Sequence, residues 1–410
     1  MAMHGAVEEG SVFKPPVGDE DRAGTKMWKK LLSPFDHYME EEGIPLFRGL
    51  GIRDVRELPR TDWKRMGAKG SFIQFDGTDG LHNMYVLEIP GGGATNPEQH
   101  IFEEDFYVVE GRGSTEVWYE GKKKRTFEWN QGTLFTVPTN SHHQLVNASS
   151  SPAILIVGCT APQPMNEFPD RNFIFNNPYQ FVKDWDSSDD YFKPRDELEV
   201  TTYSGRAARR SNVINDLIGT ELPLDNQRLP GFRRIEPYLG SGLISHIVWG
   251  YPSGRYSRAH GHSSGAIIIC LRGRAYTLNW PTGSGPTPWE AGKGETVKRF
   301  DYEAGGMVAA APGGGTWFHQ HFACSKEEPR FLVFGGSRWK GGGSSVQTVT
   351  AVRPGEEYVA TNWDLEEGGG SVGYYQEDPM IRKIYQEELA KEGAPFTMPE
   401  NVYVRPNRNK

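Results

Sequence analysis

The stretch Glu98-Gln99-His100-Ile101-Phe102-Glu103-Glu104 has an echo later in the chain, His260-Gly261-His262-Ser263-Ser264-Gly265-Ala266. Each follows a glycine-rich bend and leads into an apolar run ending in Gly-Arg, FYVVEGRG in the first case and AIIICLRGRA in the second. Spacing keeps the two in register. His100 to Gly111 and His262 to Gly273 are both 11 positions, and Gly111 to Trp118 and Gly273 to Trp280 are both 7. Further on, His143-Gln144 answers His319-Gln320, and the extra length between them is mostly a Gly/Pro/Ser-rich stretch at 281–295. The chain therefore carries two copies of one unit.

Around both stretches the apolar period is two. SFIQFDG, HNMYVLEIP, DFYVVEG, STEVWYEG, RTFEW, TLFTVP, HQLVNA and AILIVG follow one another from residue 70, separated by turn residues, and a similar series resumes near 232. Short runs of β-branched and aromatic residues at this density predict an all-β sandwich or barrel. The 49 glycines and 28 prolines, spread along the chain, suit its many turns. Helices are expected only at the periphery. Residues 27–43 are read as a helix, a break at Pro34 and a second helix stopped by Gly43, ARRSNVINDLIGTEL as one short helix, and 380–393 as a last helix ended by Gly393. The expected division is an N-terminal helical arm (1–69), a first barrel (70–160), an irregular aromatic connector (161–230), a second barrel (231–350) and a C-terminal helical extension (351–410).

Composition narrows the class. A net charge of −8 argues against a nucleic-acid partner, and the one dense basic run, Lys122 to Arg125, reads as a solvated hairpin turn. Cys159, Cys270 and Cys324 share no metal-binding spacing, and free thiols in a reducing compartment are expected. No window of 18 apolar residues exists and the first residues lack the apolar core of a leader, so a cytoplasmic protein without a membrane partner is the expectation.

The histidines carry the chemistry. Seven of the 11 fall in the repeated segments: His100, His142, His143, His260, His262, His319 and His321. Imidazole is the commonest transition-metal ligand. In an extended chain residues i and i+2 share a face, so Glu98 with His100, and His260 with His262, can both look into a barrel. His143 and His319 are placed to complete each set from a distant strand.

These segments resemble the two motifs of the cupin superfamily, G-x5-HxH-x3,4-E-x6-G and G-x5-P-x-G-x2-H-x3-N. The first copy matches with Glu98, His100, Glu104 and Gly111, then Gly132, Pro138, His143 and Asn147. Glutamate replaces the first histidine there, and Asn140 stands at the second glycine of the later motif. The second copy keeps His260, His262, Gly273, Gly306, Pro312 and His319 but has Ala266 in place of the glutamate and Ala323 in place of the asparagine. Two copies in register look like a bicupin.

The resemblance implies two jelly-roll barrels with peripheral helices, each able to hold one metal. The first site would be Glu98, His100, Glu104 and His143, and the second His260, His262 and His319. HxH-x3-Ala with a later histidine is similar to gentisate dioxygenase-like bicupins. It implies an Fe(II) dioxygenase that opens a small aromatic, enol or diketone substrate with dioxygen at the three-histidine site. Arg258 shares the parity of His260 and could pair a substrate carboxylate. A glutamate at the first-histidine position resembles ureidoglycine aminohydrolase and implies, as an alternative, a Mn(II) hydrolase, lyase or decarboxylase with Glu98 or Glu104 as acid–base. A non-catalytic binding bicupin is the third reading. A homo-oligomer is expected because barrels of this kind pair through sheet edges.

Overall fold

Period-two runs of Val, Ile, Phe, Tyr and Trp bury their apolar faces only by pairing into sheets. The computed structural model describes residues 32–78, 82–201, 206–225, 229–261, 266–310, 312, 317–335 and 364–405. Its first series of strands is β1 (Leu46–Gly49), β2 (Gly51–Ile52), β3 (Thr61–Trp63), β4 (Ala68–Phe75), β5 (Asn83–Ile89), β6 (Glu104–Glu110), β7 (Arg112–Trp118), β8 (Arg125–Asn130), β9 (Leu134–Thr136), β10 (His142–Asn147) and β11 (Ala153–Cys159). The second is β12 (Glu199–Val200), β13 (Ala207–Arg210), β14 (Val213–Ile214), β15 (Arg233–Tyr238), β16 (Ser245–Gly250), β17 (Ile267–Arg272), β18 (Arg274–Pro281), β19 (Lys298–Glu303), β20 (Met307–Ala309), β21 (Trp317–Ala323) and β22 (Arg330–Gly335).

Each series makes one large sheet facing a small one, a jelly-roll arrangement. The first large sheet runs β1-β4-β5-β11-β6-β9-β14 and faces β10-β7-β8; the second runs β12-β13-β15-β16-β22-β17-β20-β2 and faces β19-β18-β21. The edges are exchanged. β2, from the N-terminal side, pairs with β20 of the second barrel, whereas β14, from the connector, pairs with β9 of the first. The repeat thus extends upstream, since β1 lies parallel to β4 as β13 lies parallel to β15.

Alternation along the strands explains how the barrels sit together. On β6, Phe106 and Val108 face the first core, while Tyr107 and Val109 face out. On β17, Ile268 and Cys270 face the second core, while Ile267, Ile269 and Leu271 face out. The outward sets, with Ile154, Ile156, Leu332 and Phe334, form a third apolar cluster that joins the two large sheets. Strands buried on both faces read as nearly continuous apolar runs, as these do. Polar groups cross the same interface. Glu103 accepts from the backbone N–H groups of Ser241 (3.1 Å) and Ile244 (2.9 Å) and from the Ser241 hydroxyl. Asp105 Oδ2 meets His246 Nε2 at 2.6 Å, both side chains fully buried.

The turns explain the motif glycines. Gly111 and Gly273 join β6 to β7 and β17 to β18 with φ of 96° and 92°. A Cβ would lie 2.7 Å from the Ala153 Cβ in one case and 2.6 Å from the Ser325 Oγ in the other. Asn140 is one of two non-glycine residues with positive φ among the described residues (56°), the backbone the motif fills with glycine and that asparagine tolerates.

Among the described residues four α-helices flank the sheets: α1 (Pro34–Glu42), α2 (Pro162–Glu167), α3 (Arg171–Phe175) and α4 (Pro379–Glu392). α1 is the second helix expected here: Pro34 opens it, Ser33 and Asp36 form a capping box, and Gly43 ends it at φ 70°. The expected segment before Pro34 lies largely outside the described residues. Gly393 caps α4 as expected. The helix expected from ARRSNVINDLIGTEL does not form; β13 and β14 take its place, because two open sheet edges offer these residues more hydrogen bonds than an isolated turn of helix. The 281–295 loop is tied down, for the N–H groups of Trp289 and Glu290 donate to Asp378 Oδ2 (2.8 and 3.0 Å). All three cysteines are free and buried. No helix among the described residues is long and apolar enough to cross a membrane.

Two outcomes test the interface. Asp105→Asn is expected to lower the unfolding free energy by about 1–3 kcal/mol, because the buried His246 Nε2 loses the carboxylate it meets at 2.6 Å; denaturant unfolding reads it. His82, buried beside His246, is lowered by burial to about 4. The unfolded chain therefore takes this proton first, so stability falls as pH drops from about 6.5 towards about 4. His82→Phe is expected to flatten that part of a melting-temperature profile.

Candidate metal centre

Three chain segments converge inside the first barrel. The loop carrying Glu98 and His100 is clamped to β10, where Glu98 and His143 exchange both backbone hydrogen bonds at 2.8 Å. β10 alternates, so His143 points inward and is buried while His142 is half-buried, stacked 5.4 Å from the Trp118 ring. Glu104 opens β6 and is buried. His100, Glu104 and His143 come together with one ligand atom from each within 4.8 Å of the others.

The surroundings aim these atoms. His100 Nδ1 lies 2.9 Å from the Phe102 carbonyl, which accepts its proton and leaves Nε2 facing Glu104 Oε2 at 3.0 Å. The Phe102 ring stacks on the imidazole at 3.7 Å. Tyr85 donates to the other Glu104 oxygen at 2.8 Å. His143 Nε2 is 3.8 Å from Glu104 Oε2 and has no hydrogen-bond partner among the described residues, although it is buried. A buried nitrogen lone pair aimed at a carboxylate and a second imidazole fits a cation among the three.

The electrostatics suit the same occupant. Burial alone would raise Glu104, but the His100 and His143 imidazoles hold its carboxyl down at about 2. Burial, helped by His100, lowers His143 to about 4, so its ring is neutral at pH 7. Glu98 does not join the cluster. Its buried carboxylate pairs with the Arg65 guanidinium, and burial, partly countered by Arg65, pushes it up to about 7.

The second barrel repeats the clamp. His260 and His319 exchange backbone hydrogen bonds at 3.0 Å, and their rings lie 4.2 Å apart. His321 is 5.2 Å from His319 and 3.0 Å from the Thr277 hydroxyl. His262 lies outside the described residues. Ala266, in place of a glutamate, lines a cavity of about 30 Å³ with His260, His319, His321, Arg234 and Trp249. Arg258 is not among the residues lining this cavity and pairs with Asp364 at 2.7 Å, on the C-terminal segment that also hydrogen-bonds Ala259 and Gly261. Arg65, Tyr85 and Arg234 were not singled out by spacing. Arg234 carried one signal, since it alternates in phase with Phe232, a second-core residue.

A family model described as a cupin domain matches residues 85–159. No curated protein matches the sequence. The fold is similar to solved structures at low identity. The coconut allergen cocosin is 12% identical over 72% of this chain and 86% of its own, with a TM-score of 0.46. A mutant of Bacillus subtilis oxalate decarboxylase OxdC is 12% identical over 81% and 86%, with a TM-score of 0.45. A Lactobacillus farciminis oxalate decarboxylase formate complex is 12% identical over 70% and 85%, with a TM-score of 0.41.

Acidification should release a metal from the first site as His143 takes its proton. Mn(II) retention is expected to hold from pH 7 to about 5 and to collapse as pH falls through about 4, while Glu104 stays ionised down to about 2. Equilibrium dialysis at stepped pH measures this.

Proposed function

We propose that this chain, a cupin-like protein of two barrels whose residues 85–159 match a cupin domain, is a metalloenzyme whose metal is held by His100, Glu104 and His143 of the first barrel. The observation that carries this is the buried, unpartnered His143 Nε2 aimed at Glu104 and His100. Two imidazoles and one carboxylate suit Fe(II) or Mn(II) and leave coordination positions open. When bound, such a metal supplies a Lewis acid that can hold a small oxygen-bearing substrate and dioxygen side by side. A dioxygenase acting on an aromatic, enol or diketone substrate is the reading we favour. It now rests on the first barrel instead of the second.

The chain's own residues prepare the site for that chemistry. The Phe102 carbonyl fixes the His100 tautomer, and Tyr85 holds one oxygen of Glu104 so that the other faces the histidines. Phe102, Phe106 and Phe135 line the surroundings and exclude water. In the second barrel, His260, His262 and His319 are proposed as a further metal position, supported by the close approach of His260 and His319. A second reading, a Mn(II) hydrolase, lyase or decarboxylase, is favoured by one observation. Glu98, pushed up to about 7 by burial, lies near the triad and could hold or release a proton at neutral pH.

Metal analysis of protein purified without oxygen is expected to find at least one iron or manganese per chain. His143→Ala and Glu104→Gln should each weaken metal binding by at least about 100-fold, since loss of even an outer-shell partner of a ligand costs about 10–100-fold. Oxygen consumption with hydroxybenzoates, catechols and diketones separates the two readings, and metal-free protein retaining activity would sink both.

A further inference from the structure

We infer that Arg65 holds the Glu98 carboxylate off the metal position, so that the first barrel offers three protein ligands where its backbone could offer four. This rests on the first-barrel metal site proposed above. The two copies supply the comparison. Glu98 and His260 occupy the same motif position, and each exchanges both backbone hydrogen bonds with the later histidine, at 2.8 Å to His143 and at 3.0 Å to His319. From that backbone position His260 brings its ring 4.2 Å from His319. A side chain placed there can therefore reach the cluster. Glu98 has the length to do so, yet it stays outside the group formed by His100, Glu104 and His143.

What differs is the guanidinium beside it. Arg65, in the turn between β3 and β4, makes ion pairs with Glu98 Oε2 and with Glu42 Oε2 of α1, the latter at 3.2 Å. Its planar head lies 5.0 Å from the centres of both the Trp63 and Phe175 rings and 5.9 Å from that of Tyr38. Three rings and two carboxylates fix it, so it is a rigid anchor. Trp63 adds a hydrogen bond to Glu42, which keeps the anchor's other end in place.

The consequence is electronic as well as geometric. A divalent cation with Glu104 as its one carboxylate keeps a net positive charge, and a second carboxylate from Glu98 would neutralise it and close a position. Arg65 is in this sense a positioning residue that keeps the metal open and attractive to an oxyanion substrate. The second barrel reaches an open, charged set differently, with Ala266 where the first has Glu104.

Mn(II) binding to the full-length apo protein, measured by chelator competition and followed by the Mn(II) EPR spectrum, tests this without an activity assay. Glu98→Gln should leave the dissociation constant within about two-fold of wild type, since the carboxylate is not a ligand, whereas Arg65→Met should tighten binding by about ten-fold by adding a charged ligand. Arg65→Met/Glu98→Gln should return to the wild-type value, and only Arg65→Met should change the EPR line shape. A ten-fold weakening by Glu98→Gln alone would overturn the inference, and this arm stands even if Arg65→Met fails to fold. Folded Arg65→Met with unchanged affinity would overturn it too. Failure of the wild-type protein to bind Mn(II) or Fe(II) at all would instead remove the metal site itself.

Discussion

Three consecutive carboxyl groups, Glu103, Glu104 and Asp105, are buried at the head of one strand, and each needs a hydrogen-bonding partner there. Extended backbone sends neighbours to opposite faces, so the middle one enters the barrel and the outer two leave it. Glu104 finds imidazoles and Tyr85 inside; Glu103 finds backbone N–H groups, and Asp105 finds His246, on the second barrel. The proposed metal ligand and the interface are thus set by one stretch of backbone. A shift of one residue in β6 would put a single carboxylate where two are now satisfied, and two where there is room for one.

Around that constraint the two copies have diverged by exchanging roles at two positions. The first has a glutamate where the second has His260, and Glu104 where the second has Ala266. The backbone clamp between the early loop and the later strand is the same in both. Covers differ: Ile174, Asn177 and Phe175 of the connector close over the first site, whereas residues 364–372 lie along the second. Jelly-roll geometry is held constant while side chains and covering segments change, which is how one scaffold carries unlike sites.

Much of this was legible in the sequence. Period-two runs gave the strands, and the two motifs in register gave the duplication and the converging histidines. The Gly111 and Asn140 positions were readable because positive φ restricts residue choice, and the end of α4 because Gly393 is a chemical stop. The illegible parts depended on contacts distant in sequence. Residues 207–214 look helical when read locally and become strands only because sheet edges await them. Arg258 has the right parity for the pocket but meets Asp364, more than a hundred positions on, and Arg65 sits in an unremarkable turn until folding brings it to Glu98.

The crossed sheet edges bear on how the chain assembles itself. Gly51 finds its partner at Val308, so an early segment must wait for more than half of the chain before its place exists. The first barrel's last edge likewise comes from Val213, well beyond its own final strand. During synthesis, the first barrel waits for connector residues beyond its own strands, whereas the second is edged by a strand made long before it, and these pairings are among the most non-local of the described residues. The crossed edges therefore tie each half to a piece of chain that lies outside its own run of strands.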